Sequence, residues 1–133
     1  ALHSYLAVEN VADTRLPELA ELPFDCKLSQ TSNNVQALES AVGPFDRIYQ
    51  SSKQQRIIDT QKSRVVVLTS EGCQQWVVWN PGKEVSESMS DMHSGAEQEF
   101  VCVEAANTDW VTVSAGESAT MSQRIHLEAI NQS

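Results

Sequence analysis

Trp76–Glu104 reads WVVWNPGKEVSESMSDMHSGAEQEFVCVE, and the two ends of this stretch decide the fold. Trp76–Trp79 and Phe100–Glu104 are runs of aromatic and β-branched residues, which suit a pleated, half-buried surface better than a helix. Asn80-Pro81-Gly82 ends the first run, and the polar stretch Lys83–Glu99 reads as a long loop of the kind that often carries function. Trp76 and Trp79 are three residues apart, so in a regular strand they point to opposite faces; core packing is favoured for both, the alternative being one in the core and the other on a binding face. The second run sets Glu104 behind Val101, Cys102 and Val103. Hiding a charge there is costly unless something pairs with it, and partial burial raises a carboxylate pKa toward the range of a general base.

Strand signals continue on either side. Leu2, Ser4, Leu6 and Val8 share one parity, and His3, Tyr5 and Ala7 the other, so His3 projects from the face opposite the leucines. Leu16–Pro23 reads as a connection, Phe24–Leu28 as a short strand, and Ser29–Asn34 as a polar turn. Gly43-Pro44 turns the chain into Phe45-Asp46-Arg47-Ile48-Tyr49. Arg56–Thr60 and Arg64–Thr69 form a hairpin around Gln61-Lys62-Ser63, with Val65-Val66-Val67 favouring strand. Trp110–Ser114 alternates as a further strand, and Met121–Ile130 as the last. Short strands at turn-punctuated spacing predict an all-β, antiparallel β-sandwich.

A chain of 133 residues supports one domain with a single core. With 41% hydrophobic and 20% charged residues it is expected to fold. A net charge of −9 argues against nucleic acid as a partner, because no basic stripe is present to displace counterions; a small phosphorylated ligand needs only a local cationic pocket. Cys26, Cys73 and Cys102 are widely spaced and suggest neither a disulfide framework nor a zinc site; Cys102 reads as a small buried hydrophobe. No stretch reaches the length of a membrane span and no signal peptide is recognisable, which predicts a soluble, cytoplasmic protein with no membrane partner. The chain opens Ala1-Leu2-His3-Ser4-Tyr5-Leu6 without methionine, already within a strand, and is expected to be an excised piece or a truncated reading frame.

Five short motifs now fall into a familiar order. Ala1–Leu6 resembles A-L-H-S/T-Y-F/L, Phe45–Tyr49 resembles D-R-V/I-Y, and Trp79–Gly82 resembles W-N-P-G/W. Ser88–Met92 resembles S-M-x-D-M and Phe100–Glu104 resembles F-V-C-V-E, while Ala115-Gly116-Glu117 fits the turn before a final strand. Together they resemble the C-terminal half of the glucose-6-phosphate 1-epimerases, the hexose-6-phosphate mutarotase branch of the aldose 1-epimerase (galactose mutarotase-like) family. The resemblance implies part of a β-supersandwich with sugar on an open concave face. It makes residues 1–133 the C-terminal portion of one such domain, whose N-terminal half would bring another active-site histidine and the arginines that grip the substrate and its phosphate.

The resemblance also assigns roles. His3 is implied as the general acid at the ring oxygen, Glu104 as the general base at the anomeric hydroxyl, and Asp46 as a ligand of sugar hydroxyls. Opening a hemiacetal requires one proton removed and another delivered, so one base and one acid suffice with no cofactor or metal. Histidine exchanges protons near neutral pH, and a carboxylate among apolar neighbours can be tuned to match. Taken by residue type alone, His3 and Glu104 would each be ordinary strand residues, and Asp46 beside Arg47 a turn cap or an exposed ion pair. His93 and His126 match no motif and read as loop and strand-surface residues. The expected partner is a hexose or hexose phosphate. Half a sandwich leaves edges and an apolar face uncovered, which predicts a homodimer or a strand-swapped assembly that covers the missing half. The competing reading is a non-catalytic carbohydrate-binding or self-associating β module.

Overall fold

A computed structural model describes residues 1–130. Ten strands follow in chain order: β1 (Tyr5–Ala7), β2 (Thr14–Arg15), β3 (Phe24–Cys26), β4 (Thr31–Asn34), β5 (Phe45–Tyr49), β6 (Gln55–Asp59), β7 (Arg64–Glu71), β8 (Gln75–Asn80), β9 (Phe100–Ala106) and β10 (Ser122–Ala129). They form two antiparallel sheets, one of six strands in the order β1-β9-β8-β5-β3-β4 and one of four in the order β10-β7-β6-β2. The all-β sandwich is as expected. No helix among the described residues is long and apolar enough to cross a membrane.

The core lies between the sheets. From the six-stranded sheet it takes Leu6, Phe24, Phe45, Tyr49, Trp76, Val78, Val101, Val103 and Ala105; Ile57, Val66 and Leu68 come from the other. Leu16, Leu19, Leu38 and Ala41 close it from the connections. Trp76 is fully buried, and its indole N–H donates to the Lys53 carbonyl at 2.9 Å, so its one polar atom is satisfied. Cys102 is buried with no disulfide, as a small hydrophobe should be.

Three sequence expectations are corrected. Ser29–Asn34 contains a strand, β4, rather than only a turn. Polar contacts hold it: the Asp25 carboxylate of β3 accepts from the Asn33 backbone N–H at 3.0 Å, and the Asn34 amide donates to the Thr31 carbonyl at 3.1 Å. Trp110–Ser114 is not a strand; Trp110 is 94% exposed at φ +63°, and the segment has no ladder partner among the described residues. The stretch after β8 is not wholly loop, since it folds into a short helix, α1 (Gly82–Ser88), and a 3-10 turn at Ala96–Gln98.

Asn80 holds that excursion to the sheet. Its buried amide donates to the carbonyls of Glu97 at 2.8 Å and Phe100 at 3.0 Å, and its Oδ1 accepts from the Gly82 N–H at 2.9 Å. Gly82 sits at φ +72° with Pro44 against its α-carbon, where a Cβ would lie 2.9 Å from the proline nitrogen, so glycine is required for the turn out of β8. Asn80→Ala leaves two buried carbonyls and one N–H without partners and is expected to destabilise the fold by roughly 2–4 kcal/mol. Urea denaturation checks this against Leu28→Ala at a 58%-exposed position, which should stay within about 0.5 kcal/mol of the parent.

Candidate active site

The register of the six-stranded sheet gathers a site on the face turned away from the core. Directly paired residues of antiparallel strands share a face, and Tyr5 pairs with Cys102, Cys102 with Trp79, and Trp79 with Asp46. In the adjoining row Glu104 pairs with Val77. The bridge between Leu2 and Ala105 then sets His3 beside Glu104. Three residues far apart in sequence, His3, Asp46 and Glu104, therefore meet on one surface. All three sequence candidates are brought together.

His3 Nδ1 lies 3.8 Å from Glu104 Oε2, too long for a direct hydrogen bond and well within reach of ion pairing. Glu104 is 5% exposed, whereas the His3 side chain is about half exposed. Burial pushes the Glu104 carboxyl above its ordinary pKa; the charge of His3 draws it back and that of Asp46 pushes it up again. Asp46 is also raised by burial, with Lys27 and His3 opposing the shift. Lys27 reaches this pair from β3's end, where its backbone N–H donates to the Asp46 carbonyl at 2.8 Å. Such an arrangement can accept a proton at one point and deliver one at another.

An aromatic wall flanks the pair. The His3 ring stacks on Tyr5 with centroids 5.0 Å apart, and Trp79 meets both rings edge-on, at 5.6 Å from His3 and 6.0 Å from Tyr5. Phe100 continues the wall at 5.1 Å from Tyr5. Trp79 is thus a site residue rather than a core residue, a correction to the sequence expectation. A cavity of about 290 Å³ opens beyond Tyr5 and Phe100, lined also by Asp91, Met92, His93 and Glu99. The Ser88–Met92 motif ends there, and His93 pairs with Glu99 at 2.9 Å on the rim.

Arg47 belongs to the opposite face. Its guanidinium lies 3.8 Å above the centre of the Phe24 ring and donates to the Gln36 carbonyl at 3.1 Å and the Tyr49 hydroxyl at 3.2 Å. It is 7% exposed and makes no ion pair with Asp46, so neither the exposed-pair nor the turn-cap reading of Asp46-Arg47 holds. Tyr5, Phe100 and Lys27 were not singled out as site residues from the sequence. The alternation His3-Ser4-Tyr5 placed Tyr5 on the same face as His3, which was the available signal. Lys27 offered none, because its position depends on β3 pairing with β5. Among the described residues no group of three or more His, Cys, Asp or Glu is assembled as a metal site.

The raised pKa of Glu104 has a consequence for stability. The folded chain holds this proton more tightly than the unfolded chain, so the contribution is complete below the unfolded carboxylate pKa and is lost as pH rises through the folded value. Glu104→Gln removes that loss. The variant is expected to match or exceed the parent's urea midpoint near neutral pH and to decline less from about pH 4 to about pH 7. An unchanged pH slope in the variant would assign the effect to other groups.

Comparison with known proteins bears on the whole chain. Residues 1–126 match the family model described as aldose 1-epimerase. A protein of Cenchrus ciliaris, provisionally described as a glucose-6-phosphate 1-epimerase, is 27% identical over 137 aligned positions, covering 100% of this chain and 41% of that protein. A protein of Escherichia coli (strain K12) with the same provisional description is 30% identical over 109 positions, covering 80% of this chain and 37% of its own length. A solved structure from Salmonella typhimurium, provisionally described as a mutarotase, superposes with a TM-score of 0.84 at 25% identity, covering 96% of this chain and 44% of that one. The chain thus spans less than half the length of these relatives. With nearly its full length matched by the family model and its strands laid out as in a solved relative, the chain belongs to the aldose 1-epimerase family.

Proposed function

We propose that the chain takes part in interconverting the α and β anomers of a hexose 6-phosphate, with Glu104 as general base, His3 as general acid and Asp46 as a ligand of the sugar hydroxyls. The observation that carries this reading is the acid–base pair: His3 and Glu104 at 3.8 Å, with Asp46 on the same face and an aromatic wall alongside.

Glu104, ionised, takes the proton from the anomeric hydroxyl as electrons from that oxygen form the C1 carbonyl. The bond from C1 to the ring oxygen breaks, and the protonated imidazole of His3 delivers its proton to the departing oxygen. Rotation about C1–C2 turns the other face of the aldehyde toward that hydroxyl. Ring closure runs the same transfers in reverse, and both groups return to their starting charge. The burial of Glu104 suits this cycle, because raising the pKa of a carboxylate makes it a stronger base toward the anomeric proton. Tyr5, Trp79 and Phe100 offer flat apolar surface to the C–H faces of a pyranose and shield the reacting atoms from water.

The 6-phosphate follows the descriptions carried by the relatives. In this reading residues 1–133 are the C-terminal portion of a single aldose 1-epimerase-like domain, and the cations that hold the phosphate come from another part of it. Arg47 is already committed to Phe24, Tyr49 and Gln36 on the core side, which fits that division. The chain alone is then a weak catalyst or none.

Anomer exchange of glucose 6-phosphate followed by NMR tests the proposal, on this chain and on the longer protein that contains it. Glu104→Gln and His3→Ala are each expected to lower the rate by about 10²–10⁴. Asp46→Asn should lower kcat/KM by about ten- to a hundredfold, the cost of one hydrogen bond to a charged group. A rate indifferent to both Glu104→Gln and His3→Ala would refute the assignment. Saturable sugar binding with no exchange in either protein would instead favour a carbohydrate-binding module.

A further inference from the structure

The row of paired residues that builds the site does not end at Asp46. β3 runs antiparallel to β5, with Asp25 opposite Ile48 and Cys26 opposite Arg47. One step further, the Lys27 backbone N–H donates to the Asp46 carbonyl at 2.8 Å, which sets Lys27 opposite Asp46 just past the end of β3. Directly paired residues share a face, so the row runs Tyr5, Cys102, Trp79, Asp46, Lys27. Asp46 is half-buried, with an uncharged indole on one flank and an exposed cation on the other. Among the described residues Lys27 makes no close ion pair, unlike Arg56 with Glu18 or Arg64 with Asp59.

That separation matters for a group meant to accept hydrogen bonds. A contact ion pair would occupy the carboxylate oxygens, whereas a cation at longer range steadies the charge and leaves both oxygens free. The charge needs steadying, because burial drives Asp46 toward its neutral form and its charge in turn pushes up Glu104. A neutral carboxyl is the weaker acceptor. Lys27 opposes the shift at Asp46 ahead of His3, and it also acts on Glu104, behind His3 and the amino group of Ala1. The other titratable groups facing this pair bring no cation. Burial keeps the Cys102 thiol and the Tyr5 hydroxyl protonated, and Asp25, on β3 itself, accepts from the Asn33 N–H.

We propose that Lys27 is a positioning residue of the candidate site: its ammonium balances the Asp46 carboxylate from the neighbouring strand without occupying it, so that Asp46 stays ionised and open to a ligand's hydroxyls. Every residue in this argument lies inside the chain, on strands whose pairing fixes their order. Lysine suits the task, since a point charge on a flexible stem acts at a distance and does not fork onto both oxygens as arginine does. The charge balance stands on the geometry of this chain alone, and its bearing on rate rests on the acid–base reading above.

Carbon-13 NMR titration of the Asp46 and Glu104 carboxyls, on the chain as it stands, tests this. Lys27→Met should move both midpoints to higher pH, that of Asp46 the more, because losing a nearby cation disfavours the ionised form. Lys27→Arg keeps the charge and should bring both back toward the parent. A merely structural role would act through the Lys27 backbone N–H, which both variants retain, and would move neither midpoint. An Asp46 midpoint unchanged in Lys27→Met overturns the proposal, as does one that Lys27→Arg leaves as high as Lys27→Met does. In the longer protein, the acid limb of the kcat/KM profile for anomer exchange should move to higher pH in Lys27→Met and return in Lys27→Arg. A shifted Asp46 titration with an unmoved acid limb would uphold the charge balance and count against the acid–base reading of the site.

Discussion

A carboxylate at 5% exposure, with Val77 opposite it on the next strand and Cys102 two residues before it on its own, loses most of the hydration that an ionised group needs. That loss is what holds the Glu104 pKa up, and the surrounding charges set how far it goes. Asp46 adds repulsion, whereas His3 and Lys27 relieve it. The charged form of Glu104 is therefore tolerated rather than comfortable, and a proton donor brought close by a ligand is welcome. The His3 ring beside it is itself held in place by contacts with Tyr5 and Trp79.

The sheet that presents this group has two faces with separate duties. β5, β8 and β9 each send alternate residues into the core and onto the site: Phe45, Arg47 and Tyr49 inward against Asp46 outward, Trp76 and Val78 inward against Trp79 outward, Val101 and Val103 inward against Glu104 outward. Strands pinned on one face by packing hold the other face with equal firmness, which suits residues that must meet from distant parts of the chain. Asn80 extends that order to the α1 excursion by tying the 3-10 turn at Ala96–Gln98 and the first residue of β9 to the end of β8.

What could be read from the sequence follows from this division. β5 to β9 were legible because aromatic and β-branched runs bounded by Gly, Pro and Asn turns encode strand locally. His3, Asp46 and Glu104 were named through motif order, and nothing in residue type or spacing alone would have joined them. Where stability comes from elsewhere, the sequence was a poor guide. β4 is held by the side chains of Asn34 and Asp25 rather than by apolar alternation. The seven residues of α1 are too few to reveal a helical period. Trp110–Ser114 alternates convincingly yet finds no ladder, and alternation without a partner strand is only a pattern. Core packing was favoured for Trp79 because a tryptophan in a strand usually packs there, but its parity puts it with Asp46, the alternative that its odd separation from Trp76 left open.

Asp46 and Arg47 are adjacent in the chain and opposite in direction, and that simple alternation ties the two faces together. The guanidinium clamped between Phe24, Tyr49 and the Gln36 carbonyl fixes β5 from behind, while the neighbouring carboxylate looks out from the face that also carries His3 and Glu104. One peptide unit separates an interior anchor from a chemical group. Changes in the volume or polarity of the layer behind β5 therefore arrive at the Asp46 face as displacements, so in this strand the two surfaces are mechanically one.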